Sequence, residues 1–351
     1  MEQKRRNTVI DQIKGLLIFL VVMGHFAHWQ NEYDYSALWG GVYNAIMSFH
    51  MPAFIFISGY FSKNIDRHRM KELDLLFFPY IVFQLLNFLY TSITGWGDIG
   101  RAYTHFSLSW PIYQNWYILS LFIWRLLLPY LRMFKKRNAI VFVFIMAFLG
   151  GFDINLGQTL ALHRLLYFFP IFVLGYYCDD FDGFMSRFSH HIYFFAGLFL
   201  ISIIAIFIIS QNYKYSEIIS FAYTPLSGHL SSIKPFVARL AGFCSSMAIF
   251  FSFLVVATAI SKKYKNRLLI EMGQQSMLIY LVHGFVIFAC VPIIMTKICF
   301  VLQLFLSLLL SLLICYFFSR NKVNSIFRPL MSFKGFCSFY KHQSCKQNQH
   351  R

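Results

Sequence analysis

Residues 11–25 read DQIKGLLIFLVVMGH, an apolar run with a lysine near its start and a histidine at its end. Eleven helical steps of about 100° bring Lys14 and His25 to one face of a helix, roughly 16 Å apart along its axis. If this helix crosses a bilayer, one group lies near the membrane edge and the other deep inside. Ionisable groups are costly in lipid and usually face a polar interior, so both residues are candidates for function.

The composition of the chain indicates that membrane-spanning helices recur along the whole protein. Of the 351 residues, 58% are hydrophobic, 20% are aromatic and only 13% are charged, which does not describe a soluble domain. Uncharged runs long enough to span a bilayer, which takes about 20 residues, recur along the whole length. We therefore predict an all-α, polytopic membrane protein with about ten transmembrane helices. The predicted spans are 13–30, 42–61, 75–94, 115–134, 138–152, 165–178, 190–210, 237–260, 272–294 and 298–319.

The basic residues set the predicted orientation. The net charge of +17 comes from short clusters between apolar runs, which favours contact with anionic lipid over nucleic-acid binding. The clusters fall in alternate loops, so we expect both termini in the cytoplasm and the protein in the plasma membrane. A cleaved secretion signal is the alternative for the N-terminus, but no small-residue cleavage site follows the first apolar stretch. We expect a membrane domain over 1–319 and a basic, poorly ordered surface tail over 320–351.

Three ionisable residues from three predicted helices share one depth. Measured from the cytoplasmic edge, His25 and His50 lie roughly 18 Å up, and Arg125 lies about 14 Å up. His283 in the ninth span lies about 16 Å up, level with them. Each side chain could be satisfied separately by a backbone carbonyl or a tyrosine, but their common level favours one polar site. A histidine titrates near neutrality and can take a proton from a hydroxyl.

Other polar residues lie near the two membrane faces. Lys14 at the cytoplasmic mouth could bind an anion or merely extend its ammonium group to water, and Asp11 could pair with it or favour the helix start. We expect the second span to break at Pro52, which follows His50 directly. The seven cysteines have no metal-like spacing, and we predict no metal site and no permanently bound cofactor. Near the outer face lie Asn115, Trp116, Arg164 and Tyr280.

In these residues the chain resembles the acyltransferase-3 family of membrane acyltransferases, in its fucose 4-O-acetylase-like branch. The family motif of a basic residue, ten residues and an essential histidine maps onto Lys14 and His25. Most members have arginine in place of this lysine, which offers a point charge instead of a planar fork. The other matching stretches are SFHMPAFIFISGYF (48–61), NWYILSLFIWRLLLPYL (115–131), HRLLYFFPIFVLGYY (163–177) and GQQSMLIYLVHGFVI (273–287).

The resemblance implies an O-acyltransferase with acetyl-CoA, or another acyl-CoA, as co-substrate. The acceptor it implies is a hydroxyl of a cell-surface or exported carbohydrate. In this interpretation His25 is the base, with His50 and Arg125 beside it, and Lys14 and Asp11 serve the donor. The outer residues Asn115, Trp116, Arg164 and Tyr280, together with His283, then shape the acceptor side. The alternative is a transporter or flippase without covalent chemistry, although we find no two related halves in the sequence.

Overall fold

In the computed structural model, helices cover most of the described residues, which are 7–34, 37–63, 69–95, 105–150, 159–211, 233–294 and 298–338, and no strand occurs among them. The α-helices are α1 (Thr8–Asp34), α2 (Ala37–Met47), α3 (His50–Tyr60), α4 (Arg69–Glu72), α5 (Phe78–Thr94), α6 (Asn115–Leu131), α7 (Lys136–Leu149), α8 (Leu162–Tyr176), α9 (Phe181–Ser186), α10 (Ile192–Ile209), α11 (Ile233–Lys263), α12 (Arg267–Gln274), α13 (Ser276–Ile294), α14 (Phe300–Phe318) and α15 (Asn321–Met331). A π-helical segment, Leu73–Phe77, joins α4 to α5.

The helices confirm the prediction of an all-α polytopic membrane protein. Within the described ranges, seven helical segments are long and apolar enough to cross a bilayer, and an eighth results if α12 and α13 are taken as one bent span. Each predicted span overlaps helix within the described residues, and residues 151 and 152 of the fifth span lie outside them. The helices α6 and α7, with 17 and 14 residues, are shorter than the usual spanning length. The count of about ten spans and the sides of the two termini therefore stay predictions.

The second predicted span is broken, but not where we expected. The break lies at Ser48 and Phe49, between α2 and α3, whereas Pro52 lies in the first turn of α3, where a missing N–H is tolerated. Polar side chains satisfy the backbone at the break. The Ser48 hydroxyl donates to the Ala45 carbonyl at 2.8 Å, and the Ser246 hydroxyl donates to the Ser48 carbonyl at 2.6 Å. The break consequently places His50 at the very start of a helix.

One pair of glycines allows α1 and α12 to touch backbone to backbone. A Cβ on Gly15 of α1 would collide with the Leu269 backbone of α12, and one on Gly273 would collide with the Asp11 backbone. The predicted ninth span started at 272, but α12 turns away from α13 by 84° and lies against the start of α1 instead. This contact holds the N-terminal part of α1, and with it Lys14, in a fixed position.

The outer layer and the tail complete the architecture. No residue of the Ser189–Ile209 span is buried, which is the pattern of a helix that faces lipid on all free sides. The tail begins with a helix, α15, so the expectation of a poorly ordered tail is wrong for its first part. Asn324 of α15 donates to the Gln275 side chain at 2.5 Å, and Arg320 forms an ion pair with Glu271 at 2.9 Å. These contacts attach the tail to the junction of α12 and α13.

Candidate functional site

The centre of the candidate site is His25 on α1. Its ring lies against the ring of His283 on α13, with centroids 4.9 Å apart and planes tilted by 44°. His28, His50 and Arg164 also lie close enough to act on His25 electrostatically. The structure therefore brings together the three histidines that helical rise placed at one depth.

Two of these histidines have a defined tautomer. Nδ1 of His50 lies 2.8 Å from the Ile46 carbonyl, and Nδ1 of His283 lies 3.1 Å from the Ile279 carbonyl. Because a carbonyl oxygen can only accept, each Nδ1 carries the hydrogen, and Nε2 holds the lone pair of the neutral ring. Both side chains are buried. Nε2 of His283 has no hydrogen-bond partner among the described residues.

A layer of tyrosines borders the histidines. The ring of Tyr280 lies 5.8 Å from His283 and 5.3 Å from Tyr117, centroid to centroid. The Tyr280 hydroxyl donates to the Gln114 carbonyl at 2.5 Å, and the Tyr117 hydroxyl forms a 2.6 Å hydrogen bond with Ser58. Both hydroxyls thus have a protein partner, and the layer holds α3, α6 and α13 around the site.

Arg164 and Trp116 form a cation–π pair beside this layer. The guanidinium carbon of Arg164 lies 5.1 Å from the centre of the Trp116 ring, and that ring stacks on Phe168 at 5.7 Å. Arg164 is the arginine that acts electrostatically on His25 within the described part of the chain. A positive charge over an aromatic face is a suitable surface for a polar, oxygen-rich acceptor.

Asn115 is part of a buried amide network rather than of the histidine cluster. Its side-chain amide donates to Gln84 at 3.0 Å, and the Gln84 amide donates to the Ser107 and Trp110 carbonyls at 2.8 and 2.6 Å. Gln84 therefore fixes the segment that leads into α6. Neither Gln84 nor Gln114 was predicted from the sequence, although a glutamine inside the apolar run 75–94 is a visible signal.

Arg125 has different partners from those expected. Its guanidinium donates to Glu72 at 2.7 Å and to the Ser62 hydroxyl at 3.0 Å. Both partners follow α3 in the chain, beyond the histidine level. Glu72 was missed because it lies between predicted spans, where an acidic residue gives no signal.

Lys14 lies at the end of the bundle where α1 starts and α3 and α6 end, which we call the basic end after Lys63, Arg132 and Lys136. Its ammonium group forms a long ion pair with Asp11, at 3.9 Å, and lies 6.0 Å from the centre of the Phe61 ring. A fifth of the Lys14 side chain is exposed, so it is accessible to a ligand at this end. Among the described residues, no group of three or more His, Cys, Asp or Glu suits a metal ion.

Fold and site together define a multi-pass membrane protein with a cluster of histidines between its helices. A family model described as an acyltransferase domain, Acyl_transf_3, matches residues 7–320, so the chain belongs to the acyltransferase-3 family. The chain is also similar to the nodulation protein NolL of Mesorhizobium japonicum, at 25% identity over 301 residues that cover 80% of this chain and 76% of that protein. No solved structure matches the chain. The protein is therefore a membrane acyltransferase.

Proposed function

We propose that the protein transfers an acetyl group from acetyl-CoA to a hydroxyl of a cell-surface or exported carbohydrate, with His25 as the general base. The observation that carries the proposal is the position of His25 on α1, among His50, His283 and Arg164, in a chain of the acyltransferase-3 family. An imidazole near neutrality is the side chain best suited to take a proton from an alcohol.

The donor approaches from the basic end. Lys14 and the basic residues around it attract the phosphates of acetyl-CoA, and the helical rise between Lys14 and His25 is roughly 16 Å. An extended pantetheine arm spans a distance of this order, so the thioester can reach the histidines while the nucleotide stays outside. Asp11 limits the mobility of the Lys14 ammonium group through their ion pair.

The acceptor occupies the opposite side of His25. Arg164 over Trp116 offers a charged, aromatic surface for a sugar ring, and Asn115 and Tyr280 hold the segments that shape this side. The hydroxyl proton passes to His25 while the hydroxyl oxygen attacks the thioester carbonyl. The C–S bond then breaks, and His25 returns the proton to the departing thiolate. Nδ1 of His50 donates to the Ile46 carbonyl, which leaves Nε2 for the reaction, while Arg125 supports the ends of α3 and α6.

The test replaces His25 in the full-length protein. Purified protein in lipid nanodiscs is incubated with radiolabelled acetyl-CoA and glycan from the host cell envelope, and retained label is counted. We expect H25A to lose at least about a hundredfold in rate. H191A, on an exposed residue outside the site, is the control and keeps the full rate. Full transfer by folded H25A would exclude His25 as the base, and movement of substrate without label would favour a transporter.

A further inference from the structure

We infer that His283 is a positioning residue for His25: its Nε2 accepts the ring N–H of His25 and so fixes which nitrogen of His25 takes the proton. The inference rests on the proposed function, because it assigns a role to the partner of the proposed base. It replaces the idea that His283 contacts the acceptor sugar.

Of the two ring nitrogens of His283, one is already committed to a hydrogen bond. The side chain is fully buried, and Nδ1 is committed as a donor to the Ile279 carbonyl at 3.1 Å. Nε2 is therefore an acceptor in the neutral ring, and it has no partner among the described residues. A buried acceptor without a donor costs about 1–3 kcal/mol, so the site favours any arrangement that supplies a donor.

The ring of His25 is the donor best placed to supply it. The two ring centroids lie 4.9 Å apart. This separation is short enough for a hydrogen bond of about 2.9 Å between one nitrogen of each ring if the His25 ring turns a nitrogen towards Nε2. The neighbouring Tyr280 hydroxyl is already committed to the Gln114 carbonyl, and the Tyr117 hydroxyl to Ser58. The other groups that act on His25 are His28, His50 and Arg164, and Nδ1 of His50 is committed to the Ile46 carbonyl.

A hydrogen bond from His25 to His283 decides which nitrogen of His25 faces the reactants. When one nitrogen of His25 donates to His283, the other carries the lone pair and points away from α13, towards the reactants. As the acceptor hydroxyl gives up its proton, His25 becomes an imidazolium, and its N–H to His283 becomes a charge-assisted hydrogen bond. The proton then leaves from the reactant side to the thiolate sulfur, so His283 itself never changes its protonation.

The chain offers a matched pair of substitutions at this position. In H283Q the side-chain amide reaches the place of Nε2 and can accept from His25. In H283N the amide reaches only the place of Nδ1, so the bond to Ile279 can form but the acceptor is lost. We expect H283N to lower kcat roughly a hundredfold with an unchanged KM for acetyl-CoA, and H283Q to stay within about tenfold of the parent.

The measurements are initial rates with radiolabelled acetyl-CoA and the thermal unfolding midpoint of each variant. The double variant H25A/H283N should lose no more activity than H25A, because the two residues act as one unit. If H283N does not fold, H283M fills the ring volume without an acceptor and carries the same expectation.

The outcomes separate the inference from the proposed function. An inactive H25A together with a fully active H283N overturns the inference alone. Equal losses in folded H283Q and H283N exclude the acceptor role, and a raised KM for the glycan with normal kcat returns His283 to the acceptor side. A fully active H25A overturns the proposed base and the inference together.

Discussion

Removing the charge of Arg125 tests whether this arginine acts on substrate or stabilises the bundle. Its ion pair with Glu72 is 2.7 Å long, and the two side chains are only 20% and 12% exposed. Two unit charges about 4 Å apart attract by about 4 kcal/mol at the effective dielectric constant of partly buried sites. Desolvation offsets part of this attraction, but a partner left alone keeps its own desolvation cost.

We therefore expect R125M and E72Q each to lower the free energy of unfolding by about 3 kcal/mol. The double variant R125M/E72Q removes both charges and should be more stable than either single variant, with a coupling energy of about 2–4 kcal/mol. R267M is the control, because Arg267 is 91% exposed and its pair with Glu271 contributes less than about 1 kcal/mol.

The assay is thermal and denaturant unfolding in detergent, followed by tryptophan fluorescence, together with acetyl transfer by the folded variants. We expect the double variant to regain most of the transfer rate. A double variant as unstable as the worse single variant would refute the structural role of the pair. A stable double variant without transfer activity would show that Arg125 acts in the reaction, as its helical depth first suggested.

Three further results are expected. G59A should destabilise the protein by more than the roughly 1–3 kcal/mol typical of overpacking, because the new Cβ meets the Phe172 backbone of α8. G197A on the lipid-facing α10 is the control, because its new Cβ meets nothing within 4 Å. Equal unfolding midpoints for G59A and G197A would contradict this. K14Q should raise the KM for acetyl-CoA roughly tenfold with little change in kcat, while K14R keeps the parent KM. An unchanged KM in K14Q would show that Lys14 does not bind the donor. Burial raises the pKa of the Cys178 thiol. In a variant with no other cysteine, its alkylation should therefore be slower at pH 7 than that of a free thiol, and the rate should still rise above pH 9. A rate that levels off below pH 9 would contradict the raised pKa.

The fold and the histidine level were predictable because both depend on local geometry. An uncharged run long enough to span a bilayer must form a helix, and a constant rise per residue converts sequence position into depth. His25 and His50 could be aligned in this way from their helix ends, whereas the depth of His283 was counted from residue 272, which lies before the bend. The tautomers of His50 and His283 were also implicit, since each has a carbonyl four residues earlier on the same or the preceding helix.

The parts that could not be predicted depend on contacts between distant segments. Arg125 was assigned to the histidines because its Cα lies near their depth, but its long side chain reaches Glu72. Glu72 lies between predicted spans, so the helical pattern of the sequence does not predict its position. The bend before α13 arises because Gly15 and Gly273 let α12 pack on α1, and a glycine in an apolar run has many other uses. The break before His50 likewise depends on Ser246 of a remote helix.

The attachment of the tail to α12 has a practical consequence for handling the protein. Arg320 and Asn324 lie just beyond the last apolar helix, and their bonds to Glu271 and Gln275 run through the segment that packs on α1. A fusion partner or truncation introduced directly after residue 318 would remove both bonds and release α12 from one side. Purification tags are therefore better placed beyond residue 338, where α15 and its attachments stay intact.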